Sequence, residues 1–255
     1  DKDLVDILKK SLDKRLNNIL LSTKVISAKN NKNNVKVTMD SNGKESSNSY
    51  EKVLVSVGRT PNTDNLMLEN AGIKVDSNKF ILVDEYRRTN IKNIFAIGDI
   101  TGNPMLAHKA THEGKVAAEV CSGIASAFEP QAIPAVIFTD PEISWAGYTE
   151  EELIEKNIPY EKSEFPWQAS GKALSMDKIN GKTKILYEPD TKRIIGVGIV
   201  GHNAGDLIGE GILAIEMGSY SEDIALSIHP HPTLSETFSS AAEVLEKTIT
   251  DMYIP

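Results

Sequence analysis

The sequence predicts an α/β segment followed, from about residue 130, by an α+β domain built on an antiparallel sheet. Three observations carry this reading. The runs VLVSVG (53–58) and IFAIGD (94–99) are apolar on both faces, as strands inside a parallel sheet are. A leucine repeat at helical spacing opens the chain. From Ile133 onward the order changes to strands, a helix, a hairpin signal at Pro189-Asp190 and three closing helices, the layout of an α+β domain.

Leu4, Leu8, Leu12 and Leu16 recur every fourth residue, so residues 3–17 read as one amphipathic helix. Val25 to Ala28, Val35 to Met39 and Val53 to Val57 are β-rich, and Asn42-Gly43 marks a tight turn between the second and third. If VLVSVG is a buried parallel strand, helices should flank it on both sides. Residues 62–93 read as a polar connector with a short helix and the strand FILV, and IFAIGD as another apolar strand. A helix is expected from Pro104 to Val120, with Pro104 in its first turn and Gly123 just past its end. The only low-complexity tract is NNKNN at 30–34, and no internal repeat is visible.

GVGIVG (196–201) satisfies the G-x-G-x-x-G dinucleotide fingerprint, and Glu216 stands 20 residues after its first glycine. The context argues against it. A hairpin turn, EPDTKR, precedes it, its own residues are β-branched, and HNAG interrupts the place where the helix should run. The segment reads as a strand, paired with residues 182–187 in the antiparallel sheet.

With 40% hydrophobic and 25% charged residues the 255-residue chain can bury a real core. Its net charge is -8 and its Lys and Arg are dispersed, which argues against a nucleic-acid partner. No apolar run approaches the ~20 residues of a membrane span, and DKDLVDILKK lacks the layout of a signal peptide, so a cytoplasmic protein is expected. A start at Asp1 rather than Met is expected of a piece of a longer protein. Cys121, the only cysteine, cannot form an internal disulfide, a zinc thiolate cage or a dithiol pair, and is expected to be a small buried group near a helix end. No metal site is expected.

HPHPTLSE (229–236) precedes an apolar helix and sets His231 five residues from Glu236. A carboxylate at that reach can orient an imidazole, fix its tautomer and stabilise the imidazolium, which makes a general base. The same residues also read as a helix start, with Thr233 or Ser235 as N-cap and Glu236 closing a capping box. In IFAIGDITGNPMLAHKATHEG (94–114), Asp99 could bind sugar-alcohol hydroxyls, and the following helix offers unpaired amides and positive potential. An ordinary Gly-Asp turn and capped helix is the alternative.

HPHPTLSE resembles the C-terminal signature of the dihydrolipoamide dehydrogenase family, within the pyridine nucleotide-disulfide oxidoreductases. The resemblance extends to IFAIGD…MLAH, VSVGRTPNT (55–63), FTDPEISWAGYTEEEL, FPWQASGKA and GEGILAIEMG, essentially the whole chain. It implies that His231 is the acid/base for thiol chemistry with Glu236 as its partner, serving the flavin of the other subunit, and that His229 is structural. It implies that Asp99 holds the ribityl chain of FAD and that Met105, Leu106, Ala107 and His108 face the flavin O2 edge. It places Gly58 beside the NAD nicotinamide and Val25 near the adenine.

The implied domains are the C-terminal part of an NAD-binding domain (1–61), a central domain completing the FAD site (62–129) and an interface domain (130–255). The fold class is then an α/β remnant of FAD/NAD(P)-binding domains followed by an α+β dimerisation domain. The implied partners are a second copy of the chain and the lipoyl domains and core of 2-oxoacid dehydrogenase complexes. A whole enzyme of this family also needs a glycine-rich FAD fingerprint, a C-x-x-x-x-C pair and a second glycine-rich loop for NAD, none of which these residues contain. The isolated chain is therefore expected to be inactive. A glutathione-reductase-like disulfide reductase and a non-catalytic dimerisation module are the competing readings.

Overall fold

The structure is a computed structural model that describes residues 1–253. Helix α1 (Lys2–Leu12) is shorter than its leucine repeat. Leu4 and Leu8 are buried against Ile143 and Val200, and Leu12 packs at the rim of that cluster. Leu16 has no such surface and lies half exposed, so the helix stops where burial stops.

Strands β1 (Thr23–Asn30), β2 (Val35–Ser41) and β3 (Lys44–Tyr50) form a three-stranded antiparallel sheet in that order. Asn42 and Gly43, both at positive φ, make the expected turn. The strand after that turn is the polar β3, not residues 53–57. VLVSVG forms no strand and pairs with none among the described residues, and Leu54 and Val57 are about nine-tenths exposed. A strand apolar on both faces is stable only between neighbours, and no described segment offers it a ladder.

Residues 62–106 are largely irregular. FILV contributes only the isolated bridge Val75–Ile81, and IFAIGD only Arg88–Phe95, followed by a 3-10 turn, Gly98–Thr101. Neither run is the ladder strand expected: each forms one isolated bridge, and its other backbone hydrogen bonds reach scattered loop residues rather than a neighbouring strand. Helix α2 (Ala107–Cys121) begins three residues after Pro104, which follows a cis bond in the approach loop, and Gly123 stands just past its end at positive φ. Cys121 is exposed, on the outward side of the last turn, rather than buried.

The second part matches its expected layout. Strands β4 (Ala135–Ile137), β5 (Glu142–Gly147), β6 (Glu161–Pro166), β7 (Lys182–Tyr187) and β8 (Ile194–Gly201) form an antiparallel sheet ordered β4-β5-β8-β7-β6. Short helices α3 (Glu150–Glu155) and α4 (Gly171–Ser175) lie between its strands. Helices α5 (Ala204–Glu216), α6 (Ser221–Ala225) and α7 (Glu236–Glu246) close the domain. The main core joins Phe165, Trp167, Tyr187, Val197 and Ile199 of the sheet side to Ile208, Phe238 and Ala241 of α5 and α7.

GVGIVG lies inside β8, and its glycines serve packing. A Cβ on Gly198 would come within 2.7 Å of Leu4 Cδ1, and one on Gly201 within 2.4 Å of the Trp167 ring. The first lets α1 approach the sheet. Its docking is also electrostatic: Lys184, 1% exposed on β7, donates to Asp1 Oδ2 at 2.7 Å, Asp3 Oδ1 at 2.8 Å and Glu150 Oε1 at 2.7 Å. Those three carboxylates are close enough to hold a metal ion, and the ammonium occupies the place between them. Burial pushes the Asp3 and Glu150 carboxyls up, but the hydrogen bond and charge of Lys184 outweigh it and hold both below their ordinary range.

Candidate active site

The loop from Ser227 to Ser235 leaves α6 and delivers Glu236 to the first turn of α7. His231 Nδ1 and Glu236 Oε1 are 2.8 Å apart, and Glu236 Oε2 accepts the Thr233 N–H at 2.6 Å. Thr233 Oγ1 donates to the Pro230 carbonyl at 2.7 Å. The loop is further shaped by the cis His231–Pro232 bond.

Half of the capping-box reading is therefore realised. Glu236 takes the backbone amide three residues back, while Ser235, at the N-cap, makes no side-chain cap. The same carboxylate also reaches His231, which the capping reading does not require.

An ionised carboxylate only accepts, so Glu236 places the proton on Nδ1 and leaves Nε2 with its lone pair free. The His231 side chain is 77% exposed, so that nitrogen is open to a partner molecule. An imidazole fixed in this tautomer beside a carboxylate can take a proton from a thiol and return it.

The second group surrounds the 3-10 turn. Glu113, fully buried on α2, accepts the Gly98 N–H at 2.6 Å and pairs with Arg87 at 2.9 Å and Lys109 at 3.0 Å. This fixes the turn that presents Asp99, whose side chain is half exposed. Gly98 has φ +78°, and a Cβ there would meet Ala110 Cβ at 3.2 Å, so turn and helix sit close together.

Leu106 occupies the N-cap of α2 without any side-chain cap, so the first amides of the helix, at Ala107 and His108, face outward. His108 Nε2 donates to the Pro134 carbonyl at 2.7 Å, which turns its ring toward the sheet domain and leaves its amide free for other use. Arg59 donates to the Met105 carbonyl at 3.2 Å and lies 3.9 Å from Asp99 Oδ2. Met105, Asp99 and the VSVGRTPNT segment are thereby brought together.

Exposed hydroxyl acceptors, an uncapped helix terminus and a nearby guanidinium form a donor set that fits a flavin carrying a sugar-alcohol chain. Gly58, at φ +132° with open space around it, adjoins Arg59. Val25 is exposed on β1, opposite Met39 in the ladder, and joins neither group.

Arg59, Arg87 and Glu113 were not singled out by sequence reasoning. Arg59 stood inside a quoted motif as part of a turn. Glu113, at 0% exposure, offers the sequence only its i,i+4 spacing to Lys109, because its other partners lie up to 26 residues away.

Two models of one family match the chain. Pyridine nucleotide-disulphide oxidoreductase matches residues 1–114, and its dimerisation domain matches residues 133–242. A dihydrolipoyl dehydrogenase of Vibrio cholerae is 48% identical over 253 residues, 99% of this chain and 53% of that protein. That of Geobacillus stearothermophilus is 45% identical over 244 residues, 96% of this chain and 52% of that protein. The chain spans about half the length of the curated relatives it matches. Among solved structures, LpdA from Mycobacterium tuberculosis superposes with a TM-score of 0.86 at 26% identity, over 96% of this chain and 53% of that one. The HOCl-induced flavoprotein disulfide reductase RclA from Escherichia coli, at 24% identity and the same score, shares the fold.

Proposed function

Because the chain belongs to the pyridine nucleotide-disulphide oxidoreductase family, we propose that it is the part of an NAD-dependent dihydrolipoamide dehydrogenase that supplies the acid/base, half of the FAD site and the dimer interface. The observation that carries this is the His231–Glu236 pair, 2.8 Å apart with Nε2 open. Relatives at 45–49% identity bear the lipoyl enzyme's name, which favours that substrate over a glutathione-type disulfide.

In this reading His231 Nε2 takes the thiol proton of a dihydrolipoyl group, and Glu236 stabilises the imidazolium that results. Bound FAD supplies electron transfer between a disulfide and NAD. Asp99 would hold its ribityl hydroxyls, and the Ala107 and His108 amides, with Met105 and Leu106 beside them, would receive the electron-rich edge of the ring. Arg59 keeps Asp99 and the Met105 loop in register. Gly58 lines the nicotinamide position and Val25 the adenine side. We divide the chain at residues 61 and 129 into the end of an NAD-binding domain, a central domain and an interface domain, and read the assembly as a homodimer whose His231 serves the partner's flavin. Lipoyl domains of 2-oxoacid dehydrogenase complexes are its proposed partners.

The test is made in the full-length protein. His231→Ala should slow the dihydrolipoamide half-reaction by at least ~100-fold, the usual loss for a general base. Hydride exchange between NADH and flavin should change little. Glu236→Gln keeps the shape but removes the charge, and should slow the same half-reaction less. Intact lipoamide turnover in His231→Ala would overturn the assignment. A colourless, flavin-free dimer would instead support a dimerisation module.

A further inference from the structure

His229, two residues before the base, is in a second imidazole–carboxylate pair that the proposed chemistry does not use. Its side chain is 9% exposed. Nδ1 stands 2.8 Å from the Ser227 carbonyl and Nε2 2.7 Å from Glu210 Oε1 on α5. A carbonyl can only accept, so Nδ1 carries a proton. The 2.7 Å contact on the other side then requires a further hydrogen between Nε2 and Glu210. If neither atom held one, a lone pair would face a carboxylate oxygen across a half-buried contact.

The proton count does not depend on which atom holds that hydrogen. Imidazolium with carboxylate, or imidazole with carboxylic acid, both carry one proton more than a neutral ring beside an ionised Glu, and both leave the pair with no net charge. Glu243 on α7 lies close enough to feel the charge of this ring. Burial, with the charge of Asp251, pushes the Glu243 carboxyl up, and His229 opposes that rise.

We propose that His229 is a positioning residue for His231: with its extra proton it clamps the HPHP loop to α5 and sets where the His231 ring stands. The loop is then held at two points, His229 to α5 and Glu236 at the start of α7, with His231 between them. This rests on the reading of His231 as the base.

Two measurements test it. In this chain labelled with 15N-histidine, the His229 ring should show a protonated Nδ1 and a strongly bonded proton at Nε2 at pH 7.5. A neutral ring protonated only at Nε2 would overturn the proposal. In the full-length protein, Glu210→Leu should lower kcat of the dihydrolipoamide half-reaction about tenfold with KM nearly unchanged, while NADH–flavin exchange stays within twofold. Glu210→Gln, whose amide can donate to a neutral Nε2, should restore most of the rate. A residue that merely holds the fold would depress both half-reactions together, and that result, or a rate for Glu210→Leu within twofold of the parent, would sink the clamp. If His231→Ala is crippled and Glu210→Leu is not, the clamp alone fails; if His231→Ala stays active, the base and the clamp fail together.

Discussion

β8 and the run at residues 53–58 are built from the same materials, β-branched and small apolar residues ending in glycine, and they meet opposite fates. IIGVGIVG is threaded between β5 and β7, with α5 on one face and α1 on the other, and seven of its eight residues are buried. VLVSVG has no ladder and stands in solvent. The two composition patterns cannot be told apart locally. Whether such a run becomes a strand depends on partners supplied from elsewhere in the chain, which is why β-propensity measures a fit to surroundings more than a backbone preference.

The largest effect expected from this contrast is at Trp167, fully buried against Gly181 and, on β8, Gly201, with Nε1 donating to Thr183 Oγ1 at 3.0 Å. Trp167→Ala should cost about 3–5 kcal/mol, read as a lower midpoint in denaturant. A loss under 1 kcal/mol would mean the sheet domain is far less tightly packed than described.

Next comes the joint between the two regions. Lys184→Met leaves three carboxylates facing one another and should cost about 3 kcal/mol, the low end for a broken buried pair because Asp3 and Glu150 keep some water. Most of that cost should be seen as release of α1, with Leu4 and Leu8 methyl resonances shifting toward exposed values while the Val197 methyls stay in place.

Acid should do the same more gently. Asp3 and Glu150 have carboxyls held below their ordinary range in the folded chain, so their contribution is present above about pH 4.5, the unfolded value, and is lost as pH falls through the lowered folded values. The Leu4 and Leu8 methyls should therefore titrate below about pH 4, and a release of α1 already at pH 6 would contradict the ion-pair account.

The smallest effect belongs to Val57, 90% exposed: Val57→Ser should change stability by no more than about 0.5 kcal/mol in this chain. A larger loss would show that VLVSVG is covered after all.

Much of the sheet domain was legible in the sequence because its signals are local: the turn at Pro189-Asp190 and the β-branched residues that disqualified GVGIVG as a fingerprint. His231 and Glu236 were legible for the same reason, being five residues apart. What sequence reading missed depends on distant partners. α1 was drawn too long because the leucine repeat runs past the surface that buries it. IFAIGD was drawn as a strand because its composition suits one, yet the structure gives it a single bridge and spends its end on the turn that Glu113 holds. Arg59 and Lys184 act across 46 and up to 183 residues, beyond any spacing rule.

The Lys184 joint also has a temporal side. Asp3 and Lys184 are separated by 181 residues, and at ribosomal speeds of roughly 5–20 residues per second the helix that needs the lysine is made roughly 10–40 s before it. For that interval the residues of this sheet that bury Leu4 and Leu8 are not yet all made, and because Val200 and Gly198 belong to β8, α1 can dock on this sheet only once β8 has followed β7 out of the ribosome.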